Sequence, residues 1–299
     1  MGQLDELIKA LDGMELERGL PMRQLTTFRL GGPADAVLFV KTEAELLKAL
    51  LACREHALPY HIIGNGSNLI VRDGGLRGLV LVIGKHMAGF SQKGTQIIAG
   101  AGLSLTALAR ETVRLGLMGL EWACGIPGTL GGACAMNAGA YTGELKQSLK
   151  RVRILENYAI YERDVEPCDL GYRTSIYGAP DKIVLSAMLE LSEDDGFAKK
   201  RQADYLCSRE TKQPLAFASA GSVFKRPKGH YAGQLIEAAG LKGARCGGAM
   251  VSDLHAGFII NTGDATASDV LGLIERVRKA VLETSGVELE LEVKVWGDD

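Results

Sequence analysis

Excess charge of either sign is missing: 34 Lys and Arg stand against 36 Asp and Glu, a formal net charge of −2. No overall field steers such a chain towards nucleic acid or anionic lipid, so any anion it binds must be caught locally. Long hydrophobic runs are missing too. The strand-like LVLVIG at 79–84 falls far short of the roughly 18 apolar residues that a membrane span needs, and no membrane insertion is expected. The opening MGQLDELIKALDGM has Leu4, Leu7, Ile8, Leu11 and Met14 at helical spacing among acidic residues. It lacks the basic and apolar regions of a signal peptide and reads as an amphipathic first helix of a cytoplasmic protein.

Six cysteines, Cys53, Cys124, Cys134, Cys168, Cys207 and Cys246, lie far apart with no CxxC. Without a histidine cluster to complete a site, no metal is expected, and the thiols read as buried and free in a reducing cytosol. No GxxxxGK[ST] occurs, which disfavours a phosphate-transferring NTPase. GNGSNL at 64–69 and GAGLSL at 100–105 both lack the third glycine of the Rossmann fingerprint.

What is present is a series of short elements in α+β order. AVLFV at 36–40 reads as a strand, and Thr42 with Glu45 as a capping box before a helix carrying Leu46, Leu47, Leu50 and Leu51. Strands follow at 60–64, 69–73 and 78–84, then QIIAGAG and a helix capped by Ser104 and stopped at Gly116. Three strand-like runs end near Leu191. Beyond Asp194 come a charged helix to about Thr211, FASAGSVFKRP, a helix near 230–240, the strand GFIIN, a long helix capped by Thr266, and a last strand.

Two glycine-rich runs exceed what turns require: GNGSN, Gly64 to Asn68, and the segment from Cys124 to Glu144. The second holds six glycines, Gly125, Gly128, Gly131, Gly132, Gly139 and Gly143, with Pro127 and a possible helix start at Thr129. Glycine permits positive φ and close approach of a ligand, and successive amides then form a nest for an anion. Ser67, Asn68 and Thr129 could add hydrogen bonds to phosphate oxygens. Each run is expected to follow a strand, which suits a pyrophosphate clamp.

Seven segments in order, TTFRLGGPADA, IIGNGSNLIVRD, GIPGTLGGACAMNAGAYTGE, GYRTSIY, AGSVFKRP, LIEAAGLKG and LELEVKVWG, span Thr26 to Gly297. Together they resemble the UDP-N-acetylenolpyruvoylglucosamine reductase (MurB) family. The resemblance implies a PCMH-type FAD-binding fold of two α/β subdomains plus a C-terminal α+β substrate-binding domain. It also implies FAD with NADPH as reductant and a small nucleotide-sugar as substrate. Apart from His86 and Cys124 the flavin loops show no histidine or cysteine placed for attachment, so the FAD is expected to be non-covalent, and no obligate protein partner is evident. The expected division is an N-terminal helix in 1–25, subdomains at 26–85 and 86–193 with 293–299 returning to the first, and a substrate domain at 194–292. The short interval from Arg173 to Ser222 resembles the branch without an extra tyrosine-bearing loop.

By this likeness Gly64, Asn65, Gly66, Ser67, Asn68 and Leu69 would hold the FAD pyrophosphate. Ile126, Pro127, Gly128, Gly131, Gly132 and Asn137 would lie along the cofactor. Reducing an enolpyruvyl ether takes a hydride at one vinyl carbon and a proton at the other, through an enolate beside a carboxylate. Arg173 in GYRTS would face that negative charge with its planar fork, and Ser222 would deliver the proton. Lys225, Arg226 and Lys228 form the strongest local basic cluster, able to receive diphosphate and to favour loss of the serine proton.

Alternation in ELELEVKVW leaves three glutamates on one face, of which the family pattern selects Glu292 as the third catalytic residue. Glu288 and Glu290 would face solvent. Tyr141, Lys225, Arg226, Lys242 and His255 are the expected substrate or NADPH contacts, with Arg226 standing where the family often has asparagine. Two other readings compete: another flavin oxidoreductase of the same fold acting on a sugar or alcohol, and a non-catalytic dinucleotide-binding module.

Overall fold

The computed structural model describes residues 2–299 and has two compact units. The first comprises Met1–Glu17, Ala36–Asn65 and Gly78–Arg209; the second comprises Arg18–Asp35, Gly66–Arg77 and Glu210–Asp299. This division cuts the chain differently from the three expected domains: 18–35 and 66–77 group with the C-terminal segment, and most of 198–212 groups with the first unit.

The first unit carries the helices α1 (Gln3–Ala10), α2 (Glu43–Glu55), α3 (Leu105–Arg114), α4 (Leu130–Met136) and most of α5 (Ala198–Lys212). Leu7 and Leu11 of the amphipathic start are buried. Thr42 caps α2 by accepting the Glu45 amide, but the Glu45 carboxylate receives the amide of Lys41, so the expected box closes one residue early. Tyr60–Ile63 runs parallel to Leu76–Ile83 in a four-stranded sheet. A five-stranded antiparallel sheet has the order Ala159–Asp164, Leu149–Glu156, Lys182–Glu190, Gln96–Gly100, Phe90–Lys93. Its inward residues Val152, Ile154, Val184, Ala187 and Ile97 are buried with Leu105 and Leu108 of α3, which removes that much apolar surface from water. Ser104 caps α3 through the Ala107 amide, and Gly116, at φ +74°, turns the chain out of it.

The second unit has its own core around α7 (Ala267–Ser285), whose Val270, Ile274, Val277 and Val281 recur one turn apart and are all buried. The helix α6 (Ala232–Ala238) and the three-stranded sheet Arg245–Cys246, Ala249–Val251, Ile259–Asn261 pack with it. Thr266 and Asp269 form a full capping box on α7, and Asp73 receives the amides of Ala267 and Ser268 as a second cap. Of ELELEVKVW only Lys294–Trp296 is strand, running parallel to Leu69–Val71.

The cysteine expectation needs correction. None of the six cysteines is in a disulfide, but Cys168 and Cys207 are exposed and Cys246 is half-buried, so burial holds only for Cys53, Cys124 and Cys134. Among the described residues no helix is long and apolar enough to cross a membrane.

Candidate functional site

The GNGSN loop begins where the strand Tyr60–Ile63 ends. The backbone amides of Gly64, Asn65, Gly66 and Ser67 have no protein acceptor among the described residues. None of the four residues is buried, so these amides are open to water or to a ligand. Gly66 sits at φ +56°, and a Cβ there would also come within 3.0 Å of the Thr26 Cα. Gly64 needs glycine for another reason: a Cβ would collide with the Thr129 hydroxyl. Asn65 donates its side-chain amide to the Pro127 carbonyl at 2.9 Å, which ties this loop to the second glycine run. Asn68 faces elsewhere, donating to the Glu292 carbonyl at 3.1 Å while its own carbonyl receives the Lys294 amide. Asn68 thereby anchors the segment 292–294.

The second run follows a short 3-10 turn, Glu121–Ala123, and not a strand as expected. Its amides are also less available than a nest requires. Those of Leu130 and Gly131 donate to the carbonyls of Leu103 and Ala101, and that of Gly132 donates to the Thr129 hydroxyl, which caps α4. Thr129 is buried, and its hydroxyl oxygen accepts the cap bond while its proton is given no acceptor among the described residues. The amides of Gly125, Gly128, Thr129, Tyr141 and Thr142 are the donors of the run left without a protein partner among the described residues. Ile126, Pro127 and Gly128 have their carbonyls taken by Thr106, Asn65 and Leu105, which fixes the loop firmly.

Asn137, expected beside the cofactor, is wholly buried. At φ +42° it ends α4, donates to Glu144 and to the Gly171 carbonyl, and accepts the Lys146 amide. Its side chain holds the loop together and presents nothing to a ligand.

Arg173 occupies the turn of the hairpin Leu170–Gly171, Thr174–Ser175. Ser175 donates to the carbonyls of Cys134 and Ala135, docking this hairpin on α4 and so on the block that carries the glycine run. The Arg173 guanidinium donates to the Gly139 carbonyl at 2.6 Å and lies 5.2 Å from the Tyr172 ring. Its backbone is left-handed, φ +54°, as is that of Tyr141 at the same φ. Such positions cost non-glycine residues about 1–2 kcal/mol and concentrate where a side chain must be aimed. Tyr141 stacks on Tyr205 of α5 with centroids 4.4 Å apart and donates to the Tyr205 carbonyl.

Arg209, one turn further along α5, was not singled out by the sequence. Its Cδ lies where a Cβ on Gly125 would be only 2.5 Å away, and it has no carboxylate partner among the described residues. Burial lowers its pKa, with Tyr141 and Cys124 opposing. The signal for it was Gly125 itself, a glycine with no positive φ and therefore one that makes room for a neighbour.

In the second unit Gly221, φ +78°, turns the chain into Ser222. The stretch around Ser222 pairs with Phe258 on one side, and Phe224 pairs with Leu291 on the other. Thr27 anchors its start by donating to the Ser219 carbonyl. The Ser222 hydroxyl donates to the Phe224 carbonyl at 3.3 Å, and the Glu292 amide donates to the Val223 carbonyl at 2.8 Å. Serine and glutamate thus hang on one hydrogen-bonded frame. The basic cluster is engaged: Lys225 pairs with Glu290 at 3.2 Å, and the Arg226 guanidinium covers the Tyr231 ring at 3.9 Å. Lys242 pairs with Glu237 at 2.7 Å. Glu288 and Glu290 are exposed and Glu292 is half-buried, a difference that the alternation alone does not give. His255 is half-buried, and burial holds its pKa below the usual value.

Comparison with known proteins gives the family and the fold. The family described as UDP-N-acetylenolpyruvoylglucosamine reductase, C-terminal domain, matches residues 213–296, and the FAD binding domain family matches residues 34–157. A curated UDP-N-acetylenolpyruvoylglucosamine reductase from Alkaliphilus oremlandii is 47% identical over 93% of this chain and 92% of its own length. One from Clostridioides difficile is 45% identical over 98% of this chain and 97% of its own. The crystal structure of the MurB reductase from Thermus caldophilus superposes with a TM-score of 0.83 at 38% identity, covering 95% of this chain and 100% of that one. The α+β class and the FAD-binding fold expected from the sequence are borne out.

Proposed function

The chain belongs to the UDP-N-acetylenolpyruvoylglucosamine reductase family, and from that premise we propose how its own residues divide the work of the reaction. The enzyme is an FAD- and NADPH-dependent oxidoreductase of peptidoglycan precursor synthesis, reducing UDP-N-acetylglucosamine enolpyruvate to UDP-N-acetylmuramate. FAD, when bound, supplies the hydride and is recharged by NADPH. The observation that carries the cofactor reading is the row of unpaired amides from Gly64 to Ser67, donors of the kind a pyrophosphate would satisfy. Leu69 starts the strand that closes this loop. Ile126, Pro127, Gly128, Gly131 and Gly132 line the cofactor, with Asn137 holding their segment in shape. The cofactor is non-covalent: Cys124 is buried, and burial pushes its thiol pKa up, away from the reactive thiolate. Acid precipitation that leaves the yellow colour in the pellet would contradict this.

Arg173 stabilises the carboxylate and enolate with a fork preset by its left-handed turn, Ser222 delivers the proton, and Glu292 orients or shields the intermediate. Tyr141, Lys225, Arg226, Lys242 and His255 contact the nucleotide-sugar or NADPH. For Lys225 and Lys242 that means leaving Glu290 and Glu237, and since both carboxylates are largely exposed the exchange costs about 1 kcal/mol or less. The cytoplasm is the compartment we assign, where NADPH and nucleotide-sugars meet and free thiols persist.

The test is Ser222→Ala followed by stopped-flow flavin absorbance. Reduction by NADPH should be nearly unchanged, while reoxidation by the enolpyruvyl nucleotide should slow by about 10² to 10⁴, roughly 3 to 5 kcal/mol. Normal reoxidation would remove Ser222 from the mechanism.

A further inference from the structure

His255 stands at the head of a continuous chain of hydrogen bonds that ends on Glu292. Its Nδ1 accepts the Gly257 amide at 3.2 Å; the Gly257 carbonyl accepts the Val223 amide at 2.9 Å; the Val223 carbonyl accepts the Glu292 amide at 2.8 Å. Ser222 is the residue beside Val223, and its hydroxyl and the His255 ring flank the same bare face of Gly257. A Cβ there would lie 3.2 Å from Nδ1 and 3.4 Å from the serine Oγ. The ring is itself clamped. Its backbone amide donates to Ser252, which is buried, its carbonyl accepts the Phe258 amide, and Phe258 meets it edge-on at 4.9 Å.

We propose that His255 is a positioning residue that sets the spacing of Ser222 and Glu292 through Nδ1, which must stay unprotonated to accept the Gly257 amide. A neutral imidazole with an accepting Nδ1 carries its proton on Nε2, so the tautomer is fixed by the backbone. Protonation turns Nδ1 into a donor facing a donor and breaks the first link. The charged group acting on the ring is Lys242, ion-paired to Glu237 on α6; Ser222 and Ser252 contribute hydroxyls. Burial, and to a smaller extent Lys242, disfavour the protonated ring and outweigh the opposing pull of the residue's own backbone, which keeps the link intact at neutral pH.

The inference rests on the reading of Ser222 and Glu292 given above, and its test separates the two. The native protein is first reduced with NADPH and reoxidised with the enolpyruvyl nucleotide; absence of reoxidation there sinks the functional reading itself. His255→Asn and His255→Gln are then compared, since asparagine places an oxygen near Nδ1 and glutamine places one near Nε2. At saturating nucleotide H255N should reoxidise faster than H255Q and lose the native fall in rate, which sets in as the pH drops through the depressed His255 pKa, below the ordinary histidine range. H255Q should be slowed about tenfold, as expected for one lost buried hydrogen bond. Nitrogen NMR of the labelled imidazole should show the proton on Nε2 above neutral pH. A proton on Nδ1, or H255Q active with H255N impaired, overturns the proposal and makes Nε2 the working atom.

Discussion

The two glycine runs use glycine for different purposes. In GNGSN the fold needs it twice, once for a left-handed turn at Gly66 and once for the close approach of Thr129 to Gly64. In the second run none of the six glycines has positive φ; the left-handed positions there belong to Asn137 and Tyr141. Its glycines make room for neighbours instead. Gly131 lies against Ala101, Gly125 against Arg209, and Gly143 against the Trp122 ring. The first run therefore shapes a row of free amides, whereas the second packs a rigid wall whose amides are mostly spent within the protein. Counting glycines does not distinguish an anion nest from a close-packed joint.

Gly66→Val should break the first half of this comparison most severely. Left-handed strain in a β-branched residue adds to the collision with the Leu25 carbonyl, so a loss of about 3 kcal/mol or more is expected. Thermal melts and flavin absorbance per protein would report it, and an unchanged yellow protein would mean that φ at Gly66 does not matter.

Asn137→Ala attacks the second run where the strain is carried by a side chain. It should cost about 2–4 kcal/mol in urea unfolding, from stranded partners at Glu144, Gly171 and Lys146 plus a left-handed alanine. Asn137→Gly should recover about 1 kcal/mol of that, the backbone share. Equal losses in the two variants would show that the hydrogen bonds alone matter.

Gly64→Ala should cost about 1–3 kcal/mol by overpacking against Thr129. Adding Thr129→Gly should return part of it, a non-additivity measurable in a double-mutant cycle. Strict additivity would deny the contact.

The smallest effect sharpens the comparison furthest. Gly132 lies in α4 with no positive φ and nothing nearer its missing Cβ than the Thr129 hydroxyl at 3.6 Å. Gly132→Ala should stabilise the fold by about 0.5–1 kcal/mol. If flavin affinity falls at the same time, this glycine is kept for the ligand; if affinity is unchanged, it serves neither.

Much of the fold was legible because periodicity and capping are local. The helices after Thr42, Ser104 and Thr266 begin where the sequence says, since a hydroxyl three residues before an amide caps it whatever lies elsewhere. The strands from 149 to 190 were readable from their β-rich runs, but their order was not, because sheet order depends on pairings far apart in the chain. Arg173 was singled out only through the family resemblance, since a guanidinium in a loop says nothing by itself about what it faces. The site was not legible for Asn137, Thr129 and Arg209, whose parts depend on what surrounds them.

The sequence by itself determined the α+β class, the family, the absence of a strong net charge, and the positions where glycine and capping residues interrupt the chain, because each follows from residue type and short-range spacing. Tertiary structure decided which amides remain free, which glycines admit a neighbour, and how the Gly257 and Val223 carbonyls link His255 to Glu292. Those links join residues dozens of positions apart, and a hydrogen bond exists only where folding brings its donor and acceptor within about 3 Å.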